Sequence, residues 1–311
     1  MPDTGIMTTS RIDHPVDIFF QKKLLTRVLP ALLYQQFGQQ DKIPQHAGDT
    51  SKWRRYTNLG AQTTPVGEGV DNSPLMISKN DIQAIVKEYE GWTKESSWLK
   101  MTGLNMEANE RANVLLDSMR VTIDTLCRDV LRTCGGQTTM SSGDDVATYL
   151  NKTDLDTIVD NMLAQNCEMV APQINAAQGQ GTSPIRESFI GIGHVKLRST
   201  LQGVSGFLHV SNYAKQEPVY KNEFGSTGDI RWLLSTNAYN TGGNYYSMIL
   251  GKNFFGNVKI DGNSADKPLI YTPPDKTGSP GQRYSMLAFV MNYVAKILND
   301  HFGHLVISTI A

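Results

Sequence analysis

The sequence predicts an α+β chain with an N-terminal arm (residues 1–50), an extended two-stranded loop (51–92), one long helix over 105–132, a mixed α/β region of short helices and strands beyond it, and closing C-terminal strands from 284 onward. Three observations predict it. The first ninety residues are too polar to bury a core of their own. Between Ala108 and Leu131 the apolar side chains step by three and four, the spacing of one helix face. Beyond residue 146 short apolar runs alternate with loops rich in Gly, Asn and Ser.

The arm holds one short helix-like stripe, Phe19, Phe20, Leu24, Leu25, Val28, Leu29, Leu32, Leu33 and Tyr34, broken by Pro30, because proline lacks the amide donor and clashes with the preceding turn. Residues 1–60 hold eight Lys/Arg and five Asp, a local balance of +3. Such a segment packs on something else. In 51–92, Trp53, Tyr56 and Leu59 alternate loosely with Lys52, Arg54 and Arg55. A Gly/Pro tip follows at Thr64–Gly69, and a return segment runs from Leu75 to Tyr89 with Ile77, Ile82, Ile85 and Val86. Loops of this length are functional or interface-forming more often than idle.

The long helix runs through Ala108, Ala112, Leu115, Leu116, Met119, Ile123, Leu126, Cys127, Val130 and Leu131. Asn105 is its expected cap, Glu107 and Glu110 suit the positive end of the dipole, and Arg128 and Arg132 the negative end. Gly135-Gly136 is the expected stop. Next, Thr153 is expected to cap a helix through Leu155, Ile158, Val159, Met162 and Leu163, with Asp156 completing a weak capping box. Strands are expected at Phe189–Ile192, Ile230–Ser235, Tyr245–Leu250, Leu269–Thr272, Tyr284–Met291 and His304–Ile310, with a short helix at Val195–Leu201.

Twenty-nine Lys+Arg against thirty Asp+Glu in 311 residues give a charge of -1, which argues against a dedicated nucleic-acid binder. The start, Met1-Pro2-Asp3-Thr4, lacks a signal peptide's basic residues and apolar run. No stretch reaches the roughly 18 uninterrupted apolar residues of a span; Ser285–Leu298 is interrupted by Asn292 and Lys296. Cys127, Cys134 and Cys167 form no C-x-x-C pair and are odd in number, so neither a disulfide framework nor a zinc site is expected. These features point to a soluble protein made in a reducing cytoplasm, with no membrane partner and no cofactor.

Standard catalytic patterns are missing. There is no G-x-x-x-x-G-K-[ST] loop and no G-x-S-x-G elbow. Gly191-Ile192-Gly193 opens like a dinucleotide fingerprint, but Lys196 stands in the last glycine's place, and close packing of a strand on its neighbour is the plainer reading. His301 and His304 beside Asp300 could face one metal only if helical; in a turn into a strand they diverge. Gly143-Asp144-Asp145 reads as a polar turn. Lys52, Arg54 and Arg55, interleaved with Trp53 and Tyr56, fit either single-stranded nucleic acid or an extended strand whose charges meet acidic residues of a neighbouring chain. The near-zero net charge favours the second.

The run Ile43-Pro44, Gly48, Trp53-Arg54-Arg55-Tyr56, Thr63-Thr64-Pro65 and Glu68-Gly69, followed by the order of loop, long helix and α/β domain, resembles the major capsid proteins of tailed bacteriophages. That is the Hong Kong 97-type fold, and the wording is similar to its N-four-like branch. Tyr89 and Ser96 fit the family's spacing, although Glu90 stands where the branch has glycine and Gly91 follows it. Ser188–His194, Leu197-Arg198, Tyr213-Ala214, Gly228-Asp229-Ile230-Arg231-Trp232 and Ser235 resemble its later segments.

The resemblance implies a chain that self-assembles as hexamers and pentamers into an icosahedral shell around double-stranded DNA, with no catalysis of its own. Residues 93–140 and 284–311 would then form a peripheral domain carrying the long helix, and 141–283 the axial domain that meets neighbours around the capsomer axis. The loop and arm would overlap adjacent subunits through Lys52, Trp53, Arg54, Arg55, Tyr56, Pro65 and Glu68, with the basic arm toward the interior or under a neighbour. Partners would be further copies of the chain, a portal, scaffolding or decoration proteins, and weakly held DNA, in the virion and earlier in the host cytoplasm. Two alternatives stand beside it: an encapsulin-like bacterial compartment shell, and a cytosolic hydrolase with scattered catalytic residues.

Overall fold

A computed structural model describes residues 30, 32–69, 71–102, 107–140, 147–173, 186–213, 219–261, 267–273, 281 and 283–310. The arm's stripe from Phe19 to Leu29, the Asn105 cap and the Gly143-Asp144-Asp145 turn lie outside the described residues.

In chain order the strands are β1 (Gln39–Ile43), β2 (Thr50–Tyr56), β3 (Lys79–Ile85), β4 (Lys87–Ser96), β5 (Gln137–Thr139), β6 (Phe189–His194), β7 (Phe207–His209), β8 (Glu223–Thr227), β9 (Ile230–Ser235), β10 (Asn240–Thr241), β11 (Asn244–Leu250), β12 (Phe255–Ile260), β13 (Lys267–Thr272), β14 (Tyr284–Ile297) and β15 (Gly303–Ser308). The α-helices are α1 (Ser97–Thr102), α2 (Glu107–Leu131), α3 (Lys152–Ala164) and α4 (Arg198–Gly203). A five-stranded sheet joins β1-β12-β14-β13, with β4 also on β14; an eight-stranded sheet runs β5-β15-β11-β6-β9-β8-β7, with β10 on β11; β2 and β3 pair only with each other.

Helix α2 has 25 residues, about 37 Å at about 1.5 Å per residue. Its stripe does what the spacing predicts: Leu115, Ile123, Cys127 and Leu131 are buried, packed with Phe255, Leu287, Phe289, Met291 and Tyr293 of the five-stranded sheet and with Ile190, Ile192, Leu233 and Met248 of the eight-stranded one. The helix ends at Leu131, short of the glycines. Thr133 and Cys134 donate to the carbonyls of Val130 and Leu131, tightening the last turn. Gly136 is needed for space instead, since a Cβ there would lie 2.9 Å from His304 Nδ1.

On the other face of the eight-stranded sheet, Leu155, Ile158, Val159 and Met162 of α3 pack with Leu197 and Leu201 against Phe189, Trp232, Ile249 and Val306. The cap of α3 is Asn151, not Thr153: its side chain accepts from the Asp154 amide at 2.8 Å, and its amide donates to the Asp154 carboxylate at 2.7 Å. Asn151 carries the extended backbone a cap requires, with φ -124 and ψ 156.

β14 continues to Ile297, six residues beyond the predicted end at Met291. Asn292 and Lys296, which look like interruptions in one dimension, fall on the face turned away from α2, while Met291, Tyr293 and Ala295 are buried. β4 pairs with β14 from Lys87↔Tyr293 to Ser96↔Tyr284, so one unbroken strand crosses residue 92, where the sequence placed the edge of the loop. The C-terminal β15, expected beside the long helix, lies in the eight-stranded sheet on β11. β12, within 141–283, lies in the five-stranded sheet with β14.

Candidate intersubunit surface

Among the predicted contact residues, alternation along β2 decides which side each takes. β2 and β3 form an antiparallel hairpin with Lys52↔Gln83, Trp53↔Ile82, Arg54↔Asp81 and Tyr56↔Lys79. Lys52, Arg54 and Tyr56 share one face. There Arg54 Nε lies 2.8 Å and Lys52 Nζ 2.9 Å from the Asp81 carboxylate. The hydrogen bond from Arg54, then that from Lys52, holds the Asp81 carboxyl well below the usual carboxylate range. Both cations thus have an acidic partner within the hairpin itself. Sequence alternation puts these cations on one face, but only the cross-strand register reveals Asp81.

Trp53 and Arg55 share the other face. Trp53 Nε1 donates to Asp41 Oδ2 at 2.7 Å, and the indole lies so close to Gly256 that a Cβ there would meet it at 2.9 Å. Trp53 thus pins the hairpin to its own body. Beside it Ile43, Val86 and Val258 form a small separate core. Between hairpin and body a cleft of about 470 Å³ opens, lined by Arg55, Asn80, Ile82, Val130, Lys296 and His301. Pro65 and Glu68 are exposed at the tip, away from the strand residues.

The loop exposes more apolar surface than its sequence suggests. Tyr56, Leu59, Val66, Leu75, Met76 and Ile77 are all exposed, Met76 to 91%.

The body is organised around polar anchors that no motif announces. Asp124 of α2 is 1% exposed. It accepts from the Tyr34 amide at 2.9 Å and from Asn237 Nδ2 at 2.7 Å. Burial pushes its carboxyl up, against these hydrogen bonds. One carboxylate thereby ties Tyr34, in the described part of the arm, to the long helix and to the loop after β9. At the far side of the eight-stranded sheet, Arg231 and Glu223 form a fully buried two-pronged ion pair at 2.8 and 2.7 Å, joined by the Tyr213 hydroxyl at 2.8 Å.

The groups read as chemically unpromising take packing roles. A Cβ on Gly191 would meet the Trp232 ring at 2.7 Å, and all of β6 is buried. His304 shares a hydrogen bond of 2.7 Å with Thr138, while exposed His301 lies in the turn before β15. Burial pushes the thiols of Cys127 up to about 12 and of Cys134 and Cys167 to about 11, as small packing groups. Among the described residues no three His, Cys, Asp or Glu side chains gather as a metal site, and no helix is long and apolar enough to cross a membrane.

No protein-family model and no curated relative matches the sequence. The fold does have counterparts among solved structures. A chain from the capsid of the cyanophage P-SCSP1u superposes with a TM-score of 0.66 at 11% identity, covering 100% of this chain and 97% of that one. A chain from the capsid of Ralstonia phage GP4 gives 0.64 at 11% identity, with 100% and 96% covered. The holo-SrpI encapsulin complex of Synechococcus elongatus gives 0.54 at 7% identity, with 94% and 91% covered. These similarities define the class of fold: an α+β shell fold of the Hong Kong 97 type, present from end to end of the chain.

Proposed function

We propose that this chain is the major capsid protein of a tailed phage, assembling as hexamers and pentamers into the icosahedral shell that encloses a double-stranded DNA genome. The observation that carries the proposal is end-to-end correspondence: the whole chain matches nearly the whole of phage capsid chains. A subunit that must tile a shell leaves apolar side chains for its neighbours, as Leu59, Val66, Leu75, Met76 and Ile77 of the loop are left exposed. In this account the hairpin and arm lap onto adjacent copies, the eight-stranded sheet with α3 forms the axial part, and α2 with the five-stranded sheet forms the periphery. Tyr56, Pro65 and Glu68 face neighbours, Trp53 and Asp81 hold the hairpin's shape, and Arg55 borders the cleft. The shell is a container without catalytic activity. Its portal, scaffolding or decoration partners bind it in the host cytoplasm or the virion, and packaged DNA touches it weakly.

The run from Ile43 to Gly69 supports placing it in the N-four-like branch. The encapsulin-like alternative has one specific observation in its favour, the SrpI similarity, at a lower TM-score and identity than the phage capsids. Particles purified from infected or expressing cells separate the two: extracted double-stranded DNA supports the phage shell, and a co-purified enzyme cargo without DNA supports the compartment.

A further inference from the structure

The β2–β3 hairpin does not pack flush on the body, and the gap between them collects cations from both sides. Arg55 shares the face of β2 that carries Trp53, the side turned to the body. The Trp53 indole covers Gly256, and Gly256 pairs directly with Lys296 of β14. Residues directly opposite in an antiparallel pair put their side chains on one face. Lys296, and Leu298 two residues on, therefore project toward the same indole, and a Cβ on Gly256 would meet Leu298 at 3.3 Å. Arg55 and Lys296 thus enter the cleft of about 470 Å³ from its two walls, with exposed His301 and the side chains of Asn80 and Asn299 beside them. Asn299 Oδ1 accepts the His301 amide at 3.4 Å, which leaves its NH₂ group to donate. An adjoining cleft of about 360 Å³ shares Arg55 and Asn299 and adds Gln39 and Asn253.

The charge here is one-sided. Lys52 and Arg54, on the other face of β2, are answered by Asp81. Among the described residues neither Arg55 nor Lys296 forms an ion pair. The acid on the lining is Asp300, at the end where a Cβ on Gly135 would lie 3.9 Å from its own and where the cleft passes into another beside His304 and Gln165. Unpaired like charges on facing walls of a concave gap raise the local potential and attract an anion.

We propose that this cleft is a phosphate-group site, in which one phosphate bridges the Arg55 guanidinium of the hairpin and the Lys296 ammonium of the body, with Asn80, Asn299 and His301 as further donors. The planar fork of arginine matches phosphate oxygens in pairs, and lysine supplies a point charge. The group belongs either to free phosphate or to the backbone of a nucleic acid; the chemistry of recognition is the same. A bound phosphate ties the hairpin to the body at a second point beside Trp53, so the ligand stiffens β2. The site stands apart from the shell reading and does not depend on it.

The test uses the purified full-length chain with inorganic pyrophosphate at low salt, followed by equilibrium dialysis and by amide exchange. The expected result is saturable binding at a single site per chain, with rising protection in 50–56. Arg55→Ala and Lys296→Ala should each weaken binding about tenfold, and Lys296→Arg should restore most of it. Lys221→Ala, which removes an exposed cation elsewhere, should leave it unchanged. Circular dichroism and melting without ligand should match the unmodified chain in every variant, because Arg55 and Lys296 are exposed. Short duplex DNA added as competitor separates the two sources: displaced pyrophosphate assigns the site to the nucleic-acid backbone, and undisturbed pyrophosphate assigns it to free phosphate. Absence of saturable binding, or binding that survives both alanine variants, overturns the site and leaves the shell reading standing. Failure of the chain to assemble removes the shell reading and leaves this binding to be measured on the monomer.

Discussion

At the scale of single residues, Asp81 is the side chain whose role depends most on pairing. Its folded-state carboxyl is depressed by Arg54 and Lys52, so its contribution to the hairpin is full above the ordinary aspartate value of about 3.9 and is lost as pH falls below it. Amide protection factors in 50–56 and 79–85, measured relative to intrinsic exchange at each pH, should therefore fall on acidification from about pH 4 to 2, and in Asp81→Asn they should be low at either pH. Equal protection at both pH values in the unmodified chain contradicts the pairing. The same geometry changes how charge reversal should be designed. Arg54→Glu places an acid against Asp81 and disturbs the hairpin itself, whereas Arg55→Glu, on the opposite face, reports on the cleft. His194 and His304 titrate with the same sign. Burial lowers both, so the unfolded chain takes up protons first and stability declines as pH drops through about 6.5. The three buried thiols, all held high, should react with a disulfide reagent at pH 8 only as fast as the chain opens, and at once in denaturant.

At the scale of elements, the close contacts set the tolerances. A Cβ at Gly303 would fall 2.3 Å from the Phe254 ring, and one at Gly191 2.7 Å from Trp232. Both rings are buried, so neither can swing aside. Gly303→Ala and Gly191→Ala should each cost about 1–3 kcal/mol by overpacking, read from urea midpoints; a shift below 0.5 kcal/mol would count against these packings (roughly the noise level of ordinary surface substitutions). The β8–β9 hairpin hangs on Glu223 and Arg231, both side chains 0% exposed. Removing one partner, as in Glu223→Leu, should cost about 3–5 kcal/mol, and restoring an apolar pair with Glu223→Leu and Arg231→Met should recover much of it. These elements also show what was legible. The long helix was readable because one stripe of period 3.6 persists for seven turns, and β6, β9 and β11 because they are continuous apolar runs. β1, β8 and β12 were not, because QQDKI, EFGST and FGNVKI carry little apolar pattern and owe their strand state to partners far away in sequence. Thr153 misled as a cap because either Thr153 or Asn151 satisfies the local pattern, and backbone dihedrals decide between them.

At the scale of the whole molecule, order along the chain was legible and sheet membership was not. Among the described residues the β2–β3 hairpin, the long helix α2 and the strands and helices after it come in the order the sequence reading has them. Yet β1 joins β12 across more than two hundred residues, Gln39 opposite Gly256, and β15 leaves the periphery for the larger sheet. Such pairings depend on register, which composition does not encode. Of the residues proposed for the contact surface, Tyr56, Pro65 and Glu68 are exposed, whereas Trp53 bonds Asp41 and Arg54 bonds Asp81 within the chain, pairings that only the fold reveals. What remains exposed on the lone chain, such as Met76 in the loop and Trp98 in α1, is apolar surface that a solitary protein would normally bury.

The central claim is that the chain completes itself by assembly. The most direct measurement is sedimentation of the purified 311-residue chain across a range of concentrations, with electron microscopy of the same samples. The account predicts capsomers, tubes or shells in the megadalton range, with the hairpin protected from proteolysis only in the assembled fractions. A well-folded 34.4 kDa species at every concentration, with the loop at 57–78 equally protected in that monomer, would contradict it.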